Sequence, residues 1–234
     1  FSVWWGGPAD AFIAAAEEGL LEPYESPNAE AISEELRDAE NFTWTGIYVG
    51  AIGFCSNVEM LEELGVEAPT SWEDLLDPAF ESNISMAHPA TSGTAFTSFW
   101  TNVTLAADML EADEDDETMG YDEEGFPTEA AYDLAFEYFG ELHPNMLQYN
   151  RSGSAAGGMA GRGEIAVAII FSHDCVKLQV EGYEGIVINT FPEEGTGYEI
   201  GGMGILKNAP EMEAAKMWYD WALTAEAQAI GATE

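Results

Sequence analysis

Asn150-Arg-Ser-Gly-Ser-Ala-Ala-Gly-Gly-Met-Ala-Gly-Arg-Gly-Glu164, running on into Ile165-Ala-Val-Ala-Ile-Ile-Phe171 and Ser172-His-Asp174, reads as turn, short helix, stop and buried strand. Arg151-Ser152-Gly153-Ser154 opens the helix. The N–H groups of a first helical turn have no partner inside the helix, so they suit an oxyanion. Gly163 ends it, because glycine accepts the left-handed conformation of a helix cap. The unbroken apolar run from Ile165 to Phe171 is what a strand covered on both faces carries. In open α/β sheets ligands gather at the carboxyl ends of such strands. Here that end is Ser172-His173-Asp174. A plain polar turn gives the same triplet, so this stretch decides the fold class before it decides the function.

Charge sets the next bound. The 234 residues hold 44 Asp and Glu against 6 Lys and Arg, a net charge of -38, yet 47% are hydrophobic and 12% aromatic. That apolar share builds a real core and excludes global disorder. The length suits one large or two small domains. A carboxylate surface over an ordinary core reads as adaptation to molar salt, where the Debye length falls to about 3 Å and self-repulsion is screened. Nucleic acid and anionic membrane faces are poor partners for this surface. No stretch reaches the roughly 18 apolar residues of a membrane span, and none reads as a signal peptide. Cys55 and Cys175 form no metal or redox spacing and are read as free buried thiols.

Outward from the central stretch, strands and helices alternate, which is the pattern of an α/β chain. Phe1 to Trp5 is a strand, Gly6-Gly7 a turn, and Pro8 the first residue of a helix stopped at Gly19. A weak helix is expected from Ala29 to Ala39. Thr45 to Phe54 is a strand, and Asn57 caps a short helix ending at Gly65. Ser71 and Asp74 stand in capping-box positions. After a strand at Asn83 to Ala87, Thr91-Ser92-Gly93-Thr94 begins a long helix with Phe96, Phe99, Trp100, Val103, Ala107 and Leu110 as its buried stripe. This is a second hydroxyl–glycine–hydroxyl turn following a strand, and two of them point to a shared anion site. Residues 111–124, with nine acids, form a solvated loop. Thr128 to Leu142 and Cys175 to Glu181 are helices, Ile186 to Asn189 and Ile200 to Leu206 strands. Pro210 opens a helix whose Met217, Trp218 and Trp221 face inward.

Several chemistries find no residues. No Gly-x-x-x-x-Gly-Lys-[Ser/Thr] is present, and lysines stand only at 177, 207 and 216. Gly195-Thr196-Gly197 begins a dinucleotide fingerprint, but position 200 is Ile. No serine sits in Gly-x-Ser-x-Gly, and no nucleophile–base–orienter set can be assembled. Catalytic residues are therefore named at no position and no cofactor is implied. Helix-start anion cradles without catalytic groups describe a binder. The rival readings are a sugar-phosphate enzyme and a metal carrier using His173, Asp174 and Glu199.

Trp4-Trp5-Gly6-Gly7-Pro8, Thr91-Ser92-Gly93-Thr94-Ala95, Ser152-Gly153-Ser154-Ala155, Pro192-Glu-Glu-Gly-Thr-Gly-Tyr-Glu199-Ile-Gly-Gly and Trp218-Tyr-Asp-Trp221 together resemble the periplasmic solute-binding proteins of ABC importers. The similar branch is loosely labelled ferric-iron-binding and also contains hexose-phosphate, phosphoglycerate and aminoethylphosphonate binders. The resemblance implies a type II periplasmic-binding-protein fold with two α/β lobes, a hinge and a central cleft. Residues 1–50 and 196–234 would form the first lobe and residues 54–192 the second. Family members carry a signal peptide and a strand–helix unit ahead of Phe1, and more chain after Glu234, so the fold is expected to be truncated at both ends. Periplasmic or extracellular location, a monomer and a membrane permease as partner are implied with it.

Iron-binding members carry adjacent tyrosines where this chain has Tyr149-Asn150, which turns the expectation away from ferric iron. In the hexose-phosphate branch, His, Asp and Glu at places matching His173, Asp174 and Glu199 hold sugar hydroxyls. The expected ligand is a small anionic, phosphorylated metabolite, with hexose phosphate favoured and ferric iron or another metal as the alternative. Ser92, Gly93, Thr94, Ser152, Gly153 and Ser154 are the candidate anion cradle. Arg151, one of 6 basic residues, adds a charged contact, and Trp5 covers a ring face.

Overall fold

This computed structural model describes residues 1–112 and 118–233, so part of the acidic stretch expected to be a loop, residues 113–117, lies outside the described residues. The strands in chain order are β1 (Val3–Pro8), β2 (Leu21–Glu22), β3 (Thr45–Asn57), β4 (Ile84–Ala87), β5 (Met146–Asn150), β6 (Val167–Phe171), β7 (Val187–Thr190) and β8 (Tyr198–Leu206). The helices are α1 (Ala9–Glu17), α2 (Val58–Leu64), α3 (Gly93–Ala112), α4 (Glu129–Leu142), α5 (Ala155–Gly161), α6 (Ser172–Leu178), α7 (Met212–Ala222) and α8 (Ala225–Thr233). They divide into two units, one built from residues 1–50 and 199 onward, the other from residues 51–198.

In the first unit β1 runs antiparallel to β8, with Val3 opposite Ile205 and Trp5 opposite Met203. The register slips between Trp5 and Pro8, where Gly6 at φ 78° and Gly7 at φ 97° supply backbone that other residues avoid. The expected Gly-Gly turn is therefore a bulge inside the strand, and Pro8 precedes the helix as its cap residue. Phe12, Leu21 and Trp44 are buried together on one side. Met203, Ile205, Ala215, Tyr219 and Ala222 are buried together in a second cluster. The Tyr219 hydroxyl donates to Thr45 Oγ1 at 2.9 Å, and burial pushes its pKa up to about 12. Tyr219 defines the inward stripe of α7. Met217 (74% exposed), Trp218 and Trp221 lie off that stripe and are exposed, contrary to the expectation that they face inward. The helix expected over residues 29–39 is instead two single 3-10 turns, Ala29–Ala31 and Glu34–Leu36.

In the second unit β3 pairs antiparallel with β6, Ile52 opposite Phe171 and Ser56 opposite Val167, and with β7. Strand β4 is parallel to both β6 and β5, with Ala87 opposite Asn150. Every residue of β6 is buried, as its apolar sequence requires. The Asn57 side chain accepts from the Met60 N–H at 3.0 Å, and Gly65 closes α2 in the left-handed region. Ser71 Oγ and Asp74 Oδ2 exchange bonds with each other's N–H groups at 2.9 and 3.0 Å, a capping box on a 3-10 turn. The inward face of α3 is carried by Ala95, Ser98, Asn102 and Ala106, with Val103 and Ala107 beside them. Phe96 and Trp100, expected in the stripe, are exposed and stack on one another. Small residues let α3 approach the sheet and α4 closely, and large rings at those positions would hold it off.

The cysteines correct the sequence reading most plainly. Both are fully buried, as expected, but they are bonded to each other across β3 and α6, with Cα atoms 5.6 Å apart. Sequence spacing gives no hint of this pairing, because 120 residues separate the two.

Candidate functional site

Because β6, β4 and β5 run the same way, their carboxyl ends share one edge of the second unit. Each leads into a helix: β4 through residues 88–92 into α3, β5 through 151–154 into α5, and β6 directly into α6. First-turn N–H groups and the positive ends of three helix dipoles thus stand at one edge.

The two hydroxyl–glycine turns meet there. A Cβ built on Gly153 would strike Thr94 Oγ1 and come within 2.9 Å of Thr94 Cβ and 3.0 Å of Ser92 Oγ. Only glycine admits this approach. The Thr91 hydroxyl spans the same gap, lying 3.2 Å from the His88 carbonyl and 3.3 Å from the Arg151 carbonyl. Ser92 and Thr94 are half-buried, whereas Ser152 and Ser154 are exposed and flank Gly153. Thr97 and Ser98 hydroxyls donate to the carbonyls of Gly93 and Thr94 at 3.0 Å each, which holds the first turn of α3 in place. Arg151 stands exposed at the head of its turn.

His173 and Asp174 are not strand-end residues, as the sequence suggested. Helix α6 begins three residues earlier than expected and carries both in its first turn. His173 is exposed and its ring stacks on Phe171 at 5.3 Å. Burial raises the Asp174 carboxyl above the usual carboxylate value, while His173 and Lys177 pull it the other way. A half-buried acid with a raised pKa in the helical turn that follows β6 fits a ligand-facing group.

Glu199 and Trp5 belong to the first unit. Glu199 is half-buried near the start of β8, two residues before Gly201, the partner of Pro8 on β1. Trp5 is 51% exposed beside the bulge, with Trp218 edge-on at 5.6 Å. Tyr48 was missed by sequence reasoning. Its ring lies across Gly201, where any side chain would collide with it, and its hydroxyl comes near Gly6. The glycines at 6 and 201 were the available signal, since a strand glycine often marks a close approach. In the second unit His88 and Tyr149 were also passed over as site residues. The rings of His88 and Tyr149 meet edge-on at 6.2 Å, and His143 Nδ1 lies 3.1 Å from the Tyr149 hydroxyl. Among the described residues, no group of three or more His, Cys, Asp or Glu is placed to hold a metal ion.

Comparison with known proteins decides the family. A model of the bacterial extracellular solute-binding proteins matches residues 9–234. The chain belongs to this family. A Haemophilus influenzae relative, itself uncharacterized, is 36% identical over 232 residues, which is 97% of this chain and 60% of that protein. Among solved structures, the periplasmic binding protein AfuA of Actinobacillus pleuropneumoniae, with exogenous fructose-6-phosphate bound, is 37% identical with a TM-score of 0.77. The match covers 97% of this chain and 64% of AfuA. The periplasmic binding protein P5PA is 33% identical, TM-score 0.76, over 98% of this chain and 65% of its own. The chain therefore spans between 60% and 65% of the length of these relatives. Iron-bound HitA of Pseudomonas aeruginosa, at 19% identity and a TM-score of 0.70, shares the fold. That fold is the mixed α/β architecture of type II periplasmic binding proteins.

Proposed function

We propose that this chain forms the ligand-binding part of an extracytoplasmic protein that captures a hexose phosphate and presents it to an ABC importer permease. The observation that carries the reading is the closure of Gly153 onto Ser92 and Thr94, which puts two hydroxyl-rich helix starts side by side. A phosphate needs several donors converging from different directions and a positive local potential. The α3 and α5 starts offer hydroxyls and backbone N–H groups together, with Arg151 at the head of one turn. This answers how a chain of net charge -38 attracts an anion: the donors are fixed dipoles at short range, which bulk salt screens poorly once water is excluded.

In this reading His173, Asp174 and Glu199 accept from sugar hydroxyls, and Trp5 covers a ring face. The fructose-6-phosphate found in AfuA supports the same ligand class here. The wild type should melt at higher temperature with glucose 6-phosphate or fructose 6-phosphate, following RT ln(1 + [L]/Kd), with the ligand recovered unchanged. Ser154→Asp tests the cradle without harming α5, because Asp is as good a helix N-cap as Ser. It should abolish the phosphate-ester shift through like-charge repulsion. Retention of the full shift in Ser154→Asp would remove the cradle from the account.

A further inference from the structure

Helices α5 and α6 carry or follow Ser152 to Ser154 and His173-Asp174, yet each has only seven residues. Helices of that length do not persist on their own propensity and need tertiary support. Both rest on one small core, with Ala156, Met159 and Ala160 from α5, Cys175 from α6, Cys55 from β3, and Ile170 and Val187 from the sheet. At Gly157 the fit is tight: a Cβ would stand 2.9 Å from Ile170 Cδ1 and 3.0 Å from Leu178 Cδ1. Beyond its C-terminus α6 passes into a π-type turn, Gln179–Tyr183, with Gly182 at φ 116°, held to β7 by Gln179 Nε2 donating to the Val187 carbonyl at 3.0 Å. Strand β3, by contrast, is paired on both sides along Cys55.

We infer that the Cys55–Cys175 disulfide is a positioning element for the ligand site. It ties the first turn of α6, where Cys175 adjoins Asp174, to a strand paired on both sides. Through the shared core it also steadies the start of α5. Both cysteines are fully buried, so neither touches ligand, and their effect passes through His173, Asp174 and the Ser152–Ser154 turn. Donors displaced by about 1 Å lose much of their effect, which makes the support of a short helix a matter of affinity as well as of folding. The ligand half of this inference rests on the function proposed above. The mechanical half rests on the packing alone.

The test compares three forms with the oxidised wild type: Cys55→Ala/Cys175→Ala, wild type refolded as the dithiol, and Leu75→Ala. Leu75 is a fully buried residue of a different cluster in the same unit and reports loss of stability as such. Amide exchange is followed at a temperature where circular dichroism shows each form folded, alongside calorimetry with fructose 6-phosphate. Both forms without the bond should exchange residues 155–161 and 172–178 about tenfold faster than Leu75→Ala, with α2 and α3 unchanged between them. Their affinity should fall about tenfold or more below that of Leu75→Ala, the scale seen when the support behind ligand-holding groups is removed. Exchange that rises evenly along the unit, or affinity equal to that of Leu75→Ala, overturns the inference. So does failure of both bond-free forms to fold, since the disulfide would then hold the fold and not the site. If oxidised wild type fails to bind fructose 6-phosphate, the proposed ligand is wrong and the exchange comparison alone decides the positioning role.

Discussion

Gly153 stands against Thr94 with no room for a methyl group between them, and this contact joins the β4–α3 and β5–α5 turns into one surface. A Cβ at 153 would displace Thr94 and press on Ser92 Oγ at 3.0 Å. Gly153→Ala should therefore spread the two turns. We expect a stability loss of about 1–3 kcal/mol from overpacking. Phosphate-ester affinity should fall by about tenfold or more, since misplaced donors are costly. Thermal melts and titration calorimetry on the variant read both, and unchanged affinity would separate the turns from the ligand.

Asp174 gives a pH prediction. Burial raises its carboxyl above the ordinary value, so the folded protein keeps this proton at a pH where the unfolded chain has released it. Its contribution to stability is complete below the unfolded pKa of about 3.9 and is lost as pH rises through the higher folded value. Asp174→Asn removes that titration. The melting point of the variant should gain on wild type as pH climbs from about 3.9 through the raised folded value, and keep a constant offset below it. A pH-independent difference would contradict the buried acid. The same variant loses an acceptor and should blur discrimination between hexose epimers.

How much of this was legible in the sequence depends on the scale of the interaction. Asn57, Gly65, Gly163, Ser71 and Asp74 were readable because caps and left-handed stops are made within a few residues. The apolar run ending at Phe171 was readable because full burial leaves no polar alternation. The inward faces of α3 and α7 were not. Large side chains were taken as inward, whereas Ala95, Ala106, Ala215 and Ala222 face in and Phe96 and Met217 are exposed. The disulfide was also out of reach, because it joins residues 120 positions apart, and at Gly201 the glycine signalled a close approach but not its distant partner, Tyr48. At the site, the two hydroxyl–glycine turns could each be named, but their contact is a product of parallel strand order.

The disulfide should also carry ordinary stability. It closes a loop of 120 residues, and constraint of the unfolded chain on that scale is worth about 2–5 kcal/mol. Denaturant titration of the oxidised and dithiol forms measures it directly. Equal midpoints would mean that the bond strains the native state by as much as it restrains the unfolded one.

Salt should matter as strongly as any residue. With 44 acidic and 6 basic side chains, the folded surface repels itself at low ionic strength. Ion pairs such as Arg162–Glu164 at 2.7 Å are exposed and give little in return. The melting midpoint should climb from dilute buffer to molar KCl. A midpoint independent of salt would defeat the reading of the acidity as a salt adaptation.

Calorimetry in molar KCl with fructose 6-phosphate, fructose, inorganic phosphate and ferric citrate tests the central claim most directly. The account predicts that the phosphate ester binds at least about tenfold more tightly than the free sugar, the least that one charge-assisted contact at the Gly153–Thr94 junction should add. Ferric citrate should give no heat beyond that of citrate. Fructose binding as tightly as its phosphate, or ferric ion binding without any organic ligand, would contradict it.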